Sequence, residues 1–201
     1  MLEIRLARTP EEREEIFKLR YQIYVEELGW LENCANYEPN HQQKKVEDPL
    51  DLSANLFVAF NNHELVGTAR CNYAKNLDSD YYQKLYKMSE TVGDAHPLST
   101  SIGGRFMLKS YLRGTLIGLR IMQAYYKQLL LDGIKFDFID AEIYLVPFFE
   151  KLGYQTIGKI DYSIYESSTV MLLDILNIKH LEKVKSPFQR LYINLLESKM
   201  I

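Results

Sequence analysis

Cysteine is scarce in this sequence. Cys34 and Cys71 are the only two in 201 residues, too few for a disulfide framework, so a reduced, cytoplasmic setting is expected. Histidine occurs four times, at His41, His63, His96 and His180, without ligand spacing, so no metal site is expected. Long hydrophobic runs are missing, which argues against a transmembrane segment. The first residues, Met1 to Leu6, lack a basic region leading into an apolar core, so no secretory signal is expected. Nor is there an excess of charge of one sign. With 24 Lys and Arg against 27 Asp and Glu, the formal charge is -3. That gives no argument for nucleic acid as a partner, and any basic docking patch has to be local. Internal repeats and low-complexity segments are absent as well.

The composition that remains, 47% hydrophobic and 25% charged, suits one compact domain over residues 1–201 with a sizeable core. Apolar residues alternate at Leu2, Ile4 and Leu6, which predicts a strand over 2–8. Thr9 is a helix cap, Pro10 suits a first turn, and Glu11 and Glu12 favour the positive helix end. Ile16, Leu19, Ile23 and Leu28 then mark one face of a helix ending near Gly29. Residues 31–53 read as loop. Two strands, 55–60 and 64–72, flank the hairpin signal Asn61-Asn62-His63. A short helix is predicted over 81–86, loop over 89–100, and a strand over 102–110 that opens on the paired glycines Gly103 and Gly104. Such glycines mark a bulge or a close backbone approach.

A long helix is predicted over 114–132, with Leu116, Leu119, Met122, Tyr126 and Leu129 or Leu130 on one face and Gly133 at its end. The near-continuous apolar stretch 136–141 reads as a strand buried on both faces. A short helix at 146–152, strands at 154–163 and 167–174, and a helical tail over 176–201 complete the order. This is an α/β architecture, a mixed sheet with helices on both faces.

The chemistry concentrates between Arg105 and Arg120. A strand runs through Phe106, Met107 and Leu108 into the turn Arg113-Gly114-Thr115, which opens the long helix at Leu116, Ile117 and Gly118. Amide N–H groups at a helix start, together with the helix dipole, attract an anion. Gly114 and Gly118 would let a phosphate or pantetheine arm come close.

The span from Arg113 to Gly118 resembles the acyl-CoA-binding turn of the GCN5-related N-acetyltransferases (GNAT), although Leu116 stands where that family has its first glycine. The segment from Phe148 to Tyr154, Phe-Phe-Glu-Lys-Leu-Gly-Tyr, is similar to the family's Phe-Tyr-Glu-Lys-Leu-Gly-Phe. The resemblance implies a GNAT fold, splayed between the fourth and fifth strands, and an N-acyltransferase. Many members have a tyrosine that protonates the leaving thiolate. Phe149 occupies that position and cannot, so Tyr144, Tyr154 or solvent would have to supply the proton.

A narrower resemblance lies in the first half. Leu19-Arg20, Ile23-Tyr24, Glu27 to Trp30, Glu47-Asp48 with Asp51, Val66 to Arg70, and Arg105-Phe106 look like the signature of the N-acyl-homoserine-lactone (autoinducer) synthases and N-acyl amino acid synthases. What this implies is a long acyl chain delivered as acyl-CoA or on an acyl carrier protein, with no tightly bound cofactor. Glu47, Asp48, Arg70 and Arg105 are then the expected catalytic set. Phe106, Met107, Leu108, Arg113, Gly114, Thr115, Ile117 and Gly118 would hold the donor. Arg20, Tyr24, Trp30 and Asp51 would form the acceptor pocket, its guanidinium and carboxylate reading a small zwitterionic amine. Arg20 and Arg70 also have a plainer reading as ion-pair partners of Asp48 and Asp51, and Trp30 as core.

The lactone synthases usually carry an acid and a hydroxyl on the strand that ends in Arg-Phe. Ile102 and Gly104 replace them here, which favours an amino acid as acceptor over S-adenosylmethionine. An ordinary acetyltransferase and a non-catalytic acyl-thioester sensor remain as alternatives. Lys109, Arg113, Arg120 and Lys127 form a basic stripe that would suit an acidic carrier protein, or is an ordinary solvated helix face.

Overall fold

The computed structural model describes residues 1–29, 38–78, 80–160 and 168–199. Trp30, Cys34 and the strand expected over 161–163 lie outside the described residues. Seven strands form one mixed sheet, in the order β1-β2-β3-β4-β5-β7-β6. They are β1 (Leu2–Leu6), β2 (Asn55–Asn61), β3 (Glu64–Tyr73), β4 (Thr100–Leu108), β5 (Phe136–Ala141), β6 (Gln155–Ile160) and β7 (Ser168–Asp174). The helices are α1 (Pro10–Tyr21), α2 (Tyr81–Leu85), α3 (Met88–Val92), α4 (Leu116–Leu131), α5 (Val146–Leu152), α6 (Ile178–Lys183) and α7 (Phe188–Lys199). No helix among the described residues is long and apolar enough to cross a membrane. The chain divides into two compact units, residues 1–71 with 105–122, and residues 72–104 with 123–201.

In the first unit, β1, β2 and β3 pair antiparallel. Asn61 pairs with Glu64, so Asn62 and His63 form a two-residue turn. Both take positive φ, 50° and 70°, the primed geometry that matches strand twist. The α1 start follows its sequence, with Thr9 accepting the Glu12 N–H at 3.3 Å and Pro10 in the first turn. The helix continues as a π-turn over Gln22–Glu27, where the Leu28 N–H reaches the Ile23 carbonyl at 3.0 Å. That wider turn explains the five-residue step from Ile23 to Leu28. Ile16, Leu19 and Ile23 pack on Leu56, Val58, Leu65 and Met107, with Leu28 at the margin. Gly67 is required by packing. A Cβ there would lie 2.5 Å from Leu108 Cδ2, 2.9 Å from Ile121 Cδ1 and 3.1 Å from the Met107 carbonyl.

In the second unit, β4 and β5 are parallel over four pairs, from Thr100–Phe136 to Gly103–Ile139. β4 itself runs on to Leu108. Beyond β5 the pairings with β7, and of β7 with β6, are antiparallel. Ile102, Phe138, Val170 and Ile160 form a core with Tyr86 and Met88. The helix at Met88–Val92 and the start of β4 at Thr100 correct the expected loop over 89–100. The apolar residues of 88–92 close this core, a role that local sequence spacing does not reveal. Tyr126 stacks on Phe188 at 4.3 Å and donates to the Ile175 carbonyl at 2.8 Å. The expected helical tail is two helices, α6 and α7.

Candidate active site

The first unit buries a network of arginines and aspartates. The sequence Asp48-Pro49-Leu50-Asp51 makes a reciprocal capping box on a short 3-10 turn. Asp48 Oδ1 accepts the Leu50 N–H and Asp51 Oδ2 accepts the Asp48 N–H, each at 2.9 Å. Local geometry therefore fixes both carboxylates before any partner arrives. Arg20, from α1, spans both oxygens of Asp51 at 2.5 and 2.8 Å. Arg70, from β3, donates to Asp48 Oδ2 and lies 3.7 Å from Asp51 Oδ1. Arg105, from β4, reaches the same Asp48 Oδ2 through Nη2 at 2.9 Å and Nε at 3.3 Å. Burial by itself would raise the Asp48 carboxyl, but Arg70 and Arg105 outweigh it and hold it down to about 2.

Side-chain exposure separates the three arginines: 0% for Arg20, 5% for Arg70 and 18% for Arg105. The Nε atoms of Arg20 and Arg70 are buried with no hydrogen-bond partner among the described residues. Arg105 lies over the Tyr24 ring at 5.5 Å and its Nη1 donates to Tyr24 Oη at 3.4 Å. Its φ is +53° within β4, a conformation rare for a bulky residue.

This geometry corrects two expectations. Arg20 and Asp51 are sealed against each other, so neither is available to read a zwitterionic acceptor. Glu47 does not join the network; it is exposed and pairs with Lys45 at 3.3 Å. Asp48 is a poor general base, because two guanidiniums stabilise its anion. Of the four residues expected in the acceptor pocket, Tyr24 remains accessible and Trp30 lies outside the described residues.

The proposed donor turn is also in the first unit. Arg113 pairs with Glu27 and its Nε donates to the Leu108 carbonyl at 3.2 Å. Gly114 takes φ +78°. Thr115 Oγ1 donates to the Leu112 carbonyl at 2.7 Å and accepts the Ile117 N–H at 3.4 Å, capping the start of α4. Arg113, Gly114, Thr115 and Leu116 are exposed there. Gly118 is different. It is buried, and a Cβ on it would lie 3.2 Å from both Phe106 Cζ and Leu108 Cδ1. Its lack of a side chain serves packing against β4, in place of the expected approach to a phosphate. Met107 and Leu108 are buried too, so they would offer a donor only their main chain.

The basic stripe is partly neutralised. Lys109 pairs with Glu64, and Arg113 with Glu27, while Arg120 and Lys127 are exposed on α4.

The second unit holds a buried acid that hydrophobic periodicity does not point to. Asp137, read as part of an apolar strand, is fully buried and accepts hydroxyl protons from Ser101 at 2.5 Å, Tyr125 at 2.9 Å and Tyr154 at 2.6 Å. Burial pushes its carboxyl up to about 6, against the pull of the three hydroxyls. Gly103 makes room for this cluster, since a Cβ would sit 2.6 Å from Tyr125 Oη. The one available signal was an acid set among the apolar residues of 136–141, where Asp140 also stands. Tyr154 is thereby committed internally, and Phe149 packs edge-on against its ring at 5.4 Å. Tyr144 is exposed.

No family model matches the chain, and no curated protein matches it. Solved structures do. An N-acyl amino acid synthase from uncultured soil microbes superposes with a TM-score of 0.67 at 16% identity, over 95% of this chain and 98% of the other. A CoA-dependent acyl-homoserine lactone synthase, solved with SAM and isopentyl-CoA, gives 0.66 at 18% identity, over 88% and 83%. A Lactobacillus plantarum protein described as an N-acetyltransferase gives 0.62 at 18% identity, over 87% and 99%. At these identities the likeness establishes architecture, and the chain has the GNAT fold.

Proposed function

We propose that this protein is an N-acyltransferase that moves an acyl group, long-chain by expectation, from a phosphopantetheine thioester to the amine of an amino acid. The observation that carries the reading is the likeness to an N-acyl amino acid synthase over nearly the whole of both chains. Ile102 and Gly104, in place of an acid and a hydroxyl on β4, favour an amino acid over S-adenosylmethionine as acceptor.

In this reading the exposed turn from Arg113 to Thr115 receives the donor's phosphates at the start of α4. Main-chain N–H groups of residues 106–108 hold the thioester carbonyl and stabilise the oxyanion. The amine nitrogen attacks the carbonyl carbon, the C–N bond forms, and the C–S bond breaks to release thiol. Asp48 and Asp51 are tied to arginines and Glu47 is exposed, so water takes the ammonium proton. Phe149 has no proton to give and Tyr154 is committed to Asp137, so solvent also protonates the leaving thiolate. Asp48, Asp51, Arg20 and Arg70 act as the rigid support beneath the site. The donor is CoA or a carrier protein. The pairing of Lys109 and Arg113 within the chain weakens the stripe's case as a carrier dock.

Mass spectrometry of lipid extracts from cells over-expressing the protein tests the proposal. A series of N-acyl amino acids spaced by CH₂ units is expected. Acyl-homoserine lactones would instead establish the lactone synthase reading, which the structural likeness also supports. Purified protein that releases no thiol from acyl-CoA or acyl carrier protein, with any amine, would sink the enzymatic reading.

A further inference from the structure

The network of the first unit contains one guanidinium built differently from the rest. Arg20 and Arg70 are buried and cannot meet a diffusing molecule, whereas 18% of the Arg105 side chain reaches the surface. Asp48 Oδ2 serves Arg70 and Arg105 together, and Arg13 also donates to the Asp51 carbonyl. The Tyr24 ring and hydroxyl brace the same guanidinium, and the backbone holds it at φ +53°. A bulky side chain in that region is strained, and such strain concentrates where a side chain must be aimed. A rigid, stacked and partly exposed guanidinium suits a planar carboxylate better than a flexible ammonium would.

We propose that Arg105, braced by Tyr24 and Asp48, receives the carboxylate of the acceptor amino acid. This rests on the amino acid acyltransferase reading above and names the residue that selects the acceptor. It replaces Arg20, whose charge is spent inside the fold. The covalent step is unchanged. Arg105 holds the carboxylate while the neighbouring amine attacks the thioester.

The test measures thiol release by the purified full-length protein, with lauroyl-CoA and in parallel lauroyl carrier protein as donors. Acceptors are a panel of L-amino acids and the matching amino acid amides. The wild type is expected to prefer acid over amide by about tenfold or more in kcat/KM, as for loss of a hydrogen-bonded charge. In Arg105→Gln that preference falls close to unity, whereas a purely structural defect would lower both acceptors together. Arg105→Lys retains part of it. Should Arg105→Gln not fold, Tyr24→Leu takes its place and is expected to weaken the preference severalfold. A wild type indifferent to the carboxylate, or a full preference in either variant, overturns the inference and leaves acyl transfer standing. No thiol release with any acceptor overturns the function and the inference together.

Discussion

The Arg20 guanidinium spans both carboxylate oxygens of Asp51, and the pair is closed to solvent. Breaking such a buried pair from one side strands a charge, which costs about 3–5 kcal/mol. Arg20→Met and Asp51→Asn should each lower unfolding free energy by that order in urea titrations. The double variant Arg20→Met with Asp51→Leu should be more stable than the sum of the single losses implies.

The two buried aspartates should give opposite pH dependences. Asp48 is lowered to about 2, so its contribution is present above the unfolded value near 4 and is lost as pH falls towards 2. Asp137 is raised to about 6. Its folded state binds the proton more tightly, so stability falls as pH rises from about 4 to 6. Asp137→Asn should therefore gain relative to the wild type across that window and level off above it. Urea midpoints from pH 4 to 8 check this, and a constant difference would refute the assignment.

Thr115 offers a clean probe of the donor turn, since it is exposed at the start of α4 while Gly118 is wedged against Phe106 and Leu108. Thr115→Glu places negative charge beside the proposed phosphate site. It should weaken acyl-CoA binding about tenfold with little change in melting temperature. Unchanged affinity in calorimetry would remove the turn from the binding site.

Tyr154→Phe separates structure from chemistry. Losing its hydroxyl bond to Asp137 should cost about 1–3 kcal/mol of stability and leave kcat within about twofold, because the proton was never aimed at a thiolate. A kcat loss of about a hundredfold would restore Tyr154 as general acid.

Gly67→Ala meets Leu108, Ile121 and the Met107 carbonyl at 3.1 Å or less. It should destabilise by about 1–3 kcal/mol through overpacking, read as a lowered melting temperature.

Much of the fold was legible because periodicity and caps are local. Thr9 and Pro10 start α1, Asn62 and His63 make the hairpin turn, and Gly133 follows the end of α4. The pairing of Arg20 and Arg70 with Asp51 and Asp48 was open in the sequence as one of two readings, and those ion pairs are present. The π-turn after Tyr21, the helix at Met88–Val92 and the hydroxyl cluster on Asp137 were not legible. The helix and the cluster are decided by partners distant along the chain. Glu47 and Asp48 are adjacent in sequence, yet one is exposed beside Lys45 and the other is sealed, because Asp48 caps the 3-10 turn and meets Arg70 and Arg105.

The Arg and Asp network draws on four separated stretches of chain, with partners 22, 31 and 57 residues apart. Desolvated charges cannot be buried one at a time without a large penalty, and contacts this distant form only after their loops have closed. The hydrophobic layer around Ile16, Leu19 and Leu56 joins residues as far apart, so the charges are desolvated only as that layer closes over them. A chain that misplaces any one of the four stretches strands a bare charge and stays open to refolding. The same assembly that supports the site thus acts as a checkpoint on the folding of the protein around it.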